Sequence, residues 1–564
     1  MTYRDPAVMR WWGWGVDGHD PQLTPGVEAM LEATLGAPRG ELHPPVDEAD
    51  VALPDRPLPP QVTRALGDAV GEEHVRADHR TRLLRAAGKS YPDLVRLRAG
   101  DGSGAPDAVV LPGTSEEVAA VLAVCAEHGV AVVPFGGGTS VVGGVEALRG
   151  DHEHVIALDT RRLTRLVAAD RVSRTATLEA GLTGPQAEAA LAAYGLTLGH
   201  FPQSFEFSTV GGWVATRSAG QASTGVGRID QLVLGLRAAT PAGEVVARTV
   251  PASAAGPDVR QLLVGSEGTM GVITEATLKV RPAPEARAYE AFSVRSFAHG
   301  AEVLRALRQH DAAPDVLRLS DEAETQLSLA MAGSGRTQTA FARYLRLRGH
   351  AGGCVIIAGW EGSAAAVRRR RLAARAIFVR QRALQLGPPA GKAWHSGRFH
   401  GPYLRDVLLD RRVLVDTLET ATTWARLDAL KRAVETAIAE TLGARGTPAF
   451  VGCHVSHVYT AGASLYFTYA ARQEAGAELE QWRAVKGAAS DAILRAGGTI
   501  THHHGVGRDH APWLAREAGG PALDALRAAK AAFDPAGIMN PGKLVDGTLT
   551  GVPPTGPAAA TQPA

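Results

Sequence analysis

The sequence predicts an α+β protein with a two-part ligand-binding domain of alternating strands and helices, an α+β cap domain after it and an arm at the N-terminus. Three observations carry this reading. A buried-strand run, Val130-Ala131-Val132-Val133, enters a glycine loop from Pro134 to Gly144. Strand and helix patterns alternate from Asp107 onward. Pro282 and Pro284 then break the pattern, and longer units follow.

At 564 residues, two or three domains are expected, and 45% hydrophobic residues suffice for buried cores. The balance of 59 basic and 58 acidic residues, net +1, leaves no electrostatic footprint for nucleic acid and favours a small or apolar partner. Cys125, Cys354 and Cys453 lie far apart and in no metal-ligand spacing, which points to buried small hydrophobes in a reducing compartment. Arg4, Asp5 and Arg10 precede any apolar run, and no window is long and apolar enough for a membrane span. A soluble, cytoplasmic protein is expected.

Residues 1–96 form the arm with its helices. Arg10-Trp11-Trp12-Gly13-Trp14-Gly15 reads as its anchor on the body, and Pro44 to Pro60 excludes regular helix and central strand. Residues 97–285 form the ligand-binding domain. There Ala108 to Leu111 is a strand; Thr114 and Glu117 make a capping box; Val118, Val121, Leu122 and Cys125 share a helical face that Gly129 ends. In the loop, three successive glycines let the backbone approach a polyanion, and Thr139 and Ser140 add donors. We read it as a diphosphate cradle. Val141-Val142-Gly143-Gly144 is a poor helical start, so Rossmann and P-loop arrangements are disfavoured.

Further along, Thr175 to Ala180 alternates as a strand, Pro185 to Tyr194 is a helix, Leu232 to Thr249 is a hairpin turning at Pro241-Ala242-Gly243, and Val272 to Val280 is a strand. Residues 286–500 form the cap. Its strands are placed at Tyr289 to Val294, Val316 to Leu319, Cys354 to Ala358, Phe450 to Tyr459 and Ser464 to Ala470. Helices fall at Ala298 to His310, from Ser363, and at Glu474 to Arg495, which suggests βαβ units with an antiparallel component. Arg368 to Arg371 reads as a solvated helix face. Residues 501–546 form a C-terminal segment that returns to the site, and 547–564 a disordered tail.

Four further stretches are rich in small and hydroxyl residues: Gln203 to Thr209, Val210 to Trp213, Thr216 to Gly220, and Glu267 to Ile273. Such loops suit a long dinucleotide-like ligand. With the run Pro134 to Ser140, these blocks resemble the FAD domain (FAD-binding PCMH-type) of the vanillyl-alcohol oxidase superfamily. Within it the chain resembles the alkyldihydroxyacetonephosphate synthase, or alkylglycerone-phosphate synthase, family. The likeness runs from Trp11 to Leu544. It is most specific at the Trp-rich opening, Tyr403-Leu404-Arg405-Asp406, Ala461 to Phe467, and Thr501-His502-His503-His504-Gly505-Val506-Gly507.

The resemblance implies noncovalent FAD, since no histidine sits in the glycine loop where relatives tether flavin. It places cofactor contacts at Pro134, Phe135, Gly136, Gly137, Gly138, Thr139 and Ser140, and at Gln203, Ser204, Phe205, Glu206, Phe207, Ser208 and Thr209. Further contacts fall on Thr216, Arg217, Ser218 and Ala219, and on Glu267, Gly268, Thr269, Met270, Gly271, Val272 and Ile273. Catalytic roles fall on Tyr466 as proton donor and acceptor, on His502, His503 and His504, and on Arg318; Arg405 is the substrate-binding cation. The implied reaction exchanges the acyl group of acyl-dihydroxyacetone phosphate for a long-chain alcohol without net redox change. A proton-transferring side chain, titratable histidines and an arginine fork for phosphate suit it. Lipid-like substrates, a homodimer and room for peripheral membrane contact follow from the same likeness.

The residues alone leave other readings open. Three adjacent histidines can be a metal tract, but in a strand successive side chains point to opposite faces, so no metal is expected. Tyr466 alone would read as core, and Arg405 and Arg318 as salt-bridge partners. His454 stands where animal members of the family have arginine, and Phe533 to Lys543 looks like the ending of flavin-linked 2-hydroxy-acid dehydrogenases. The alternative is therefore a FAD-linked oxidoreductase of a D-lactate or glycolate type, with Arg405 on a carboxylate and His454 or a triplet histidine as base. A flavin-bearing protein without turnover is the baseline.

Overall fold

The computed structural model describes residues 8–18, 21–23, 25–36, 42–331 and 336–546. Arg4, Asp5 and the tail expected at 547–564 lie outside the described residues. Three sheets of four or more strands carry the fold among the described residues. The smallest runs in the order Val75–Arg76, Ala108–Val110, His154–Asp159, Val130–Phe135, with its last two pairings parallel. The helix Ser115–His128 supplies the crossover. Val118, Val121, Leu122 and Cys125 are its buried face, and Gly129 ends it at φ +63. Thr114 accepts the Glu117 N–H, but Glu117 reaches Gly113 N at 2.6 Å instead of Thr114, so the expected capping box is only half formed.

The second sheet is antiparallel, in the order Leu166–Asp170, Thr175–Glu179, Val272–Lys279, Val233–Thr240, Gly243–Ala247. Thr240 pairs with Gly243, so the hairpin turns on Pro241-Ala242 and Gly243 already belongs to the strand. The glycine loop leaves the first sheet beyond Phe135 and enters no helix before the strand His154–Asp159, as expected.

The third sheet has seven strands in the order Leu384–Gly387, Ala286–Val294, Cys354–Gly362, Val316–Ser320, Ala449–Val455, Gly462–Arg472, Val413–Thr423. Every pairing in it is antiparallel, which corrects the expected βαβ units. Helices still separate its strands in sequence, but each returning chain lands antiparallel to its neighbour. Alternation along these strands gives the sheet two faces. Leu317, Leu319, Cys453, Val455, Leu465, Phe467, Leu414 and Leu418 join one core with the covering helices Phe297–Gln309, Ala364–Arg380, Leu427–Ala444 and Glu478–Arg495. The residues between them, Arg318, His454, Tyr466 and Glu419, share the opposite face.

Two further expectations are refined. Arg368 and Arg369 are exposed, but Arg370 pairs with Asp315 at 2.9 Å and Arg371 with Glu290, so half of the run neutralises buried carboxylates of the sheet. The three cysteines are free and buried, and burial pushes the Cys125 thiol up to about 12, so it packs as a small hydrophobe. The Trp-rich opening is an anchor. Trp14 N donates to Asp406 Oδ2 at 2.7 Å, Lys89 Nζ to Arg10 O at 2.7 Å, and the Arg10 guanidinium lies 4.1 Å over the Trp12 ring. Among the described residues no helix is long and apolar enough to cross a membrane.

Candidate active site

Backbone geometry builds the first half of the site. A Cβ at Gly137 would fall 2.0 Å from Phe207 O, one at Gly136 2.4 Å from Thr209 Oγ1, and one at Gly268 2.9 Å from Pro134 Cγ. The glycine loop is therefore seated against residues 207–209 and 267–268 more closely than any side chain permits. Glu267 N donates to Ala215 O at 2.9 Å and Ser218 N to Trp213 O at 3.1 Å, which draws the Thr216 to Gly220 stretch to the same place. The amide groups of Gly137 to Ser140 donate to no acceptor among the described residues. These clustered amides, with Gly138 at φ +65, fit the diphosphate of a dinucleotide cofactor.

Side chains in these stretches divide by task. Ser208 Oγ takes the Trp213 indole N–H at 2.7 Å, and Thr216 Oγ1 donates to Gly212 O. Arg217 is spent on Val264 O at 2.9 Å and on Gln261. Met270, Val272 and Ile273 are core. Gln203 and Tyr403–Glu206 contacts tie the loop to the 398–403 region of the cap, where Phe205 also stacks on Phe399 at 5.6 Å. Asn540, unmarked in the sequence reading, donates from Nδ2 to both Gly144 O and Glu267 O and so holds two of the loops.

The polar face of the large sheet builds the other half. Cross-strand register puts Tyr466 between His454 on one side and Glu419 on the other. His454 stacks on Tyr466 at 4.7 Å with planes 19° apart. Its Nδ1 lies 3.0 Å from Arg318 Nη2 and 3.2 Å from Glu324 Oε1, and Glu324 also pairs with Arg318. Burial pushes the Tyr466 hydroxyl up to about 12, so it holds its proton at neutral pH. Arg405, on the helix Gly401–Leu409, donates from Nη1 to Lys89 O, whereas its buried Nε and Nη2 have no partner among the described residues. Tyr466 lies within its electrostatic reach. An unpartnered buried guanidinium is costly unless an anion completes it.

The triplet His502-His503-His504 is not in a strand, which removes the alternation argument. It lies in bends wrapped around Glu419, a 1% exposed carboxylate that accepts His502 N at 2.6 Å, His503 N at 3.0 Å, His504 N at 2.9 Å and Thr501 Oγ1 at 2.7 Å. Burial alone would raise Glu419; the neighbouring histidines outweigh it and hold the carboxyl well below its ordinary range. From the cofactor half, Glu267 accepts Val506 N and Gly507 N, both at 2.6 Å. His504 stands edge-on to Tyr466 at 5.5 Å with Nδ1 free of hydrogen bonds among the described residues, and burial lowers its imidazole to about 3. His502, His503 and His457 bring one nitrogen each within 4.8 Å of one another. His457 and His502 are stacked with planes 25° apart, however, so their in-plane lone pairs run side by side instead of converging on one ion at 2.0–2.1 Å.

Glu419 was invisible as a site residue because the strand Val413–Thr423 carrying it was not recognised, although Val413-Leu414-Val415-Asp416-Thr417-Leu418-Glu419 holds β-branched residues at alternate positions. Glu324, His457 and Tyr459 likewise gain their meaning only from contacts across the fold.

Comparison with known proteins gives two family models: "FAD binding domain" over residues 106–248 and "FAD linked oxidases, C-terminal domain" over 283–544. The chain is 35% identical over 494 residues to an alkyldihydroxyacetonephosphate synthase of Dictyostelium discoideum, covering 86% of this chain and 81% of the relative. A solved alkyldihydroxyacetonephosphate synthase superposes with a TM-score of 0.83 at 31% identity, covering 95% of this chain and 99% of that one. The glycolate oxidase subunit GlcD of Bacillus subtilis is more distant, at 26% identity over 78% of this chain and 89% of its own length.

Proposed function

The chain belongs to the alkyldihydroxyacetonephosphate synthase family and binds FAD, and from that premise we propose that it exchanges the acyl group of acyl-dihydroxyacetone phosphate for a long-chain alcohol, giving an ether-lipid precursor. The observation that carries the reading is Arg405, a buried guanidinium with two nitrogens that have no partner among the described residues and with Tyr466 within its electrostatic reach. Its fork takes the substrate phosphate. Tyr466 and the imidazoles of His503 and His504 handle the proton at carbon 1, while bound FAD supplies a two-electron acceptor. Arg318, braced by Glu324, fixes the His454 ring and, through the stack, the ring of Tyr466. The acyl and alkyl chains are lipid-like.

Residues that suggested a 2-hydroxy acid have scaffold duties. Asp534 accepts Ile538 N, Met539 N and Lys530 Nζ; Asn540 N bonds Val132 O; and Lys543 Nζ bonds Glu146 O. The Phe533 to Lys543 run thus fastens the end of the chain under the glycine loop and says nothing of substrate. We further propose that residues 97–285 hold the cofactor, that 286–500 cap it with 501–546 returning between them, and that the protein is a cytoplasmic homodimer with peripheral membrane contact. Light scattering and vesicle flotation test the last two.

The deciding experiment supplies acyl-dihydroxyacetone phosphate, labelled long-chain alcohol and no electron acceptor. Label in the ether product supports the proposal. Flavin bleaching by D-lactate, turnover only with an added acceptor and no label in product would replace it by the oxidoreductase.

A further inference from the structure

From the Tyr466 face a line of polar groups leads away through two histidines to a tyrosine with no role assigned above. Tyr459 Oη is 2.6 Å from His502 Nε2, and His502 Nδ1 is 3.0 Å from His503 Nδ1. The His503 ring lies 6.1 Å from that of Tyr466, with planes 24° apart. At the other end, Tyr459 is half-buried and lines a surface cleft of about 730 Å³ with Thr422, Thr499, Arg495 and Arg516. The three groups therefore lead from the ring next to Tyr466 to a residue of the cleft wall, where Arg228 acts on the Tyr459 hydroxyl as well.

The Nδ1 to Nδ1 contact is informative. A hydrogen bond between two identical ring nitrogens needs one protonated and one bare, and either ring can be the donor. If His503 donates, His502 carries its own proton on Nε2 and gives it to the Tyr459 oxygen, whose own proton then turns away from His502. If His502 donates, its Nε2 is bare and accepts from the Tyr459 hydroxyl. The two arrangements differ by one step of every proton along the line. His502 must be neutral for this, and burial lowers its imidazole well below the ordinary value, against the pull of Glu419. Glu419 Oε2 also lies 3.5 Å from His503 Nδ1, farther than the 3.0 Å of His502 Nδ1, and the carboxylate already accepts from four other donors.

We propose that Tyr459, acting through His502 and His503, is the relay that carries the substrate's carbon 1 proton between the active site and the solvent cleft. The inference rests on the exchange reaction proposed above. In the outward stroke His503 gains a proton on Nε2 and releases the one on Nδ1 to His502, His502 releases its Nε2 proton to Tyr459, and Tyr459 releases its hydroxyl proton to water. One proton enters the line and one leaves, with no change of redox state. The inward stroke, which returns a proton to carbon 1 after the alcohol has replaced the acid, runs the same moves backwards and restores the first arrangement.

The test is Tyr459→Phe in the FAD-loaded full chain. Phenylalanine keeps the ring and removes the oxygen hydrogen-bonded to His502. In a buffer that carries protons poorly, turnover should fall by at least about 10-fold, toward the lower range for loss of a proton-transfer group, with flavin content and KM for the acyl substrate unchanged. Added imidazole, small enough for the cleft, should restore much of it. Independently of activity, ¹⁵N spectra of the histidine side chains should show His502 averaging between two tautomers in the parent and held in one in the variant. Turnover within about twofold of the parent, a deficit that imidazole does not relieve, or an unchanged His502 signal would each overturn the relay. Failure of the parent protein to incorporate alcohol would instead defeat the proposed reaction, and the spectra would still judge the proton line.

Discussion

The two halves of the site reach the same short segment by different means. The cofactor half is made of backbone: Gly136 and Gly137 fit because they lack a Cβ, and the acceptor-free amides of Gly137 to Ser140 are main-chain groups. The large-sheet half is made of side chains placed by register, with His454, Tyr466 and Glu419 side by side on three strands. Each half then sends one carboxylate into residues 501–507, half-buried Glu267 to Val506 and Gly507, and buried Glu419 to Thr501 through His504. The loop that carries the three imidazoles is thus clamped from both sides. The lesson is that backbone-built sites tolerate little change of shape, and register-built sites little change of chemistry.

The largest test of that contrast is Tyr466→Phe, which keeps shape and removes chemistry. Turnover should fall about 100 to 10,000-fold, with flavin content and melting temperature close to the parent in spectroscopy and calorimetry. A variant keeping more than about a tenth of turnover would mean that Tyr466 is a packing residue and that the polar face is not where the proton moves.

Next is Arg405→Met, which fills similar space without the fork. Loss of a buried charge-assisted pair to the phosphate should cost about 2–3 kcal/mol in kcat/KM, or about 30 to 150-fold. Most of it should be in KM, and flavin content should be unaffected. Arg405→Lys should recover only part, since a point charge cannot grip two oxygens. Unchanged steady-state kinetics in the methionine variant would remove Arg405 from the substrate.

The cofactor half was legible because its determinants are contiguous. Three glycines after an apolar strand already imply close backbone approach, and the strand, helix and hairpin signals around them matched the elements found. The other half was legible only where it resembled known motifs. Tyr466, read from its strand alone, is a core residue, since Leu465 and Phe467 beside it are; its register with His454 and Glu419 is a property of pairing between distant strands. The expectation of parallel units failed for the same reason. Helices alternate with strands in sequence whether the returning strand lies parallel or antiparallel, and only pairing distinguishes them. The triplet's geometry was misjudged because a carboxylate from elsewhere, not a strand, shapes it.

The smallest effects compare the two clamps, and there the sign is sharper than the size. Glu419→Gln keeps one acceptor oxygen but presents an amide NH₂ to N–H donors, so it should lose at least one charge-assisted bond, about 1.5–3 kcal/mol in denaturant unfolding at neutral pH. Glu267→Gln should cost less, about 1 kcal/mol, because burial already pushes that carboxyl up to about 7, against the pull of the Val506 and Gly507 amides, so a neutral side chain is tolerated there. The pH dependences should run oppositely. The Glu419 carboxyl is lowered in the fold, so its contribution is complete above its unfolded value of 4.5 and fades as pH falls toward the folded one; the cost of Glu419→Gln should shrink on acidification. The Glu267 carboxyl is raised, so its contribution is complete below 4.5 and fades as pH climbs from there to about 7; the cost of Glu267→Gln should shrink over that interval. Unfolding of the parent and both variants between pH 4 and 8, at matched flavin loading, measures both slopes. If they share a sign, the two carboxylates bear the same charge in the folded protein, and the asymmetry between the halves ends at residue 501.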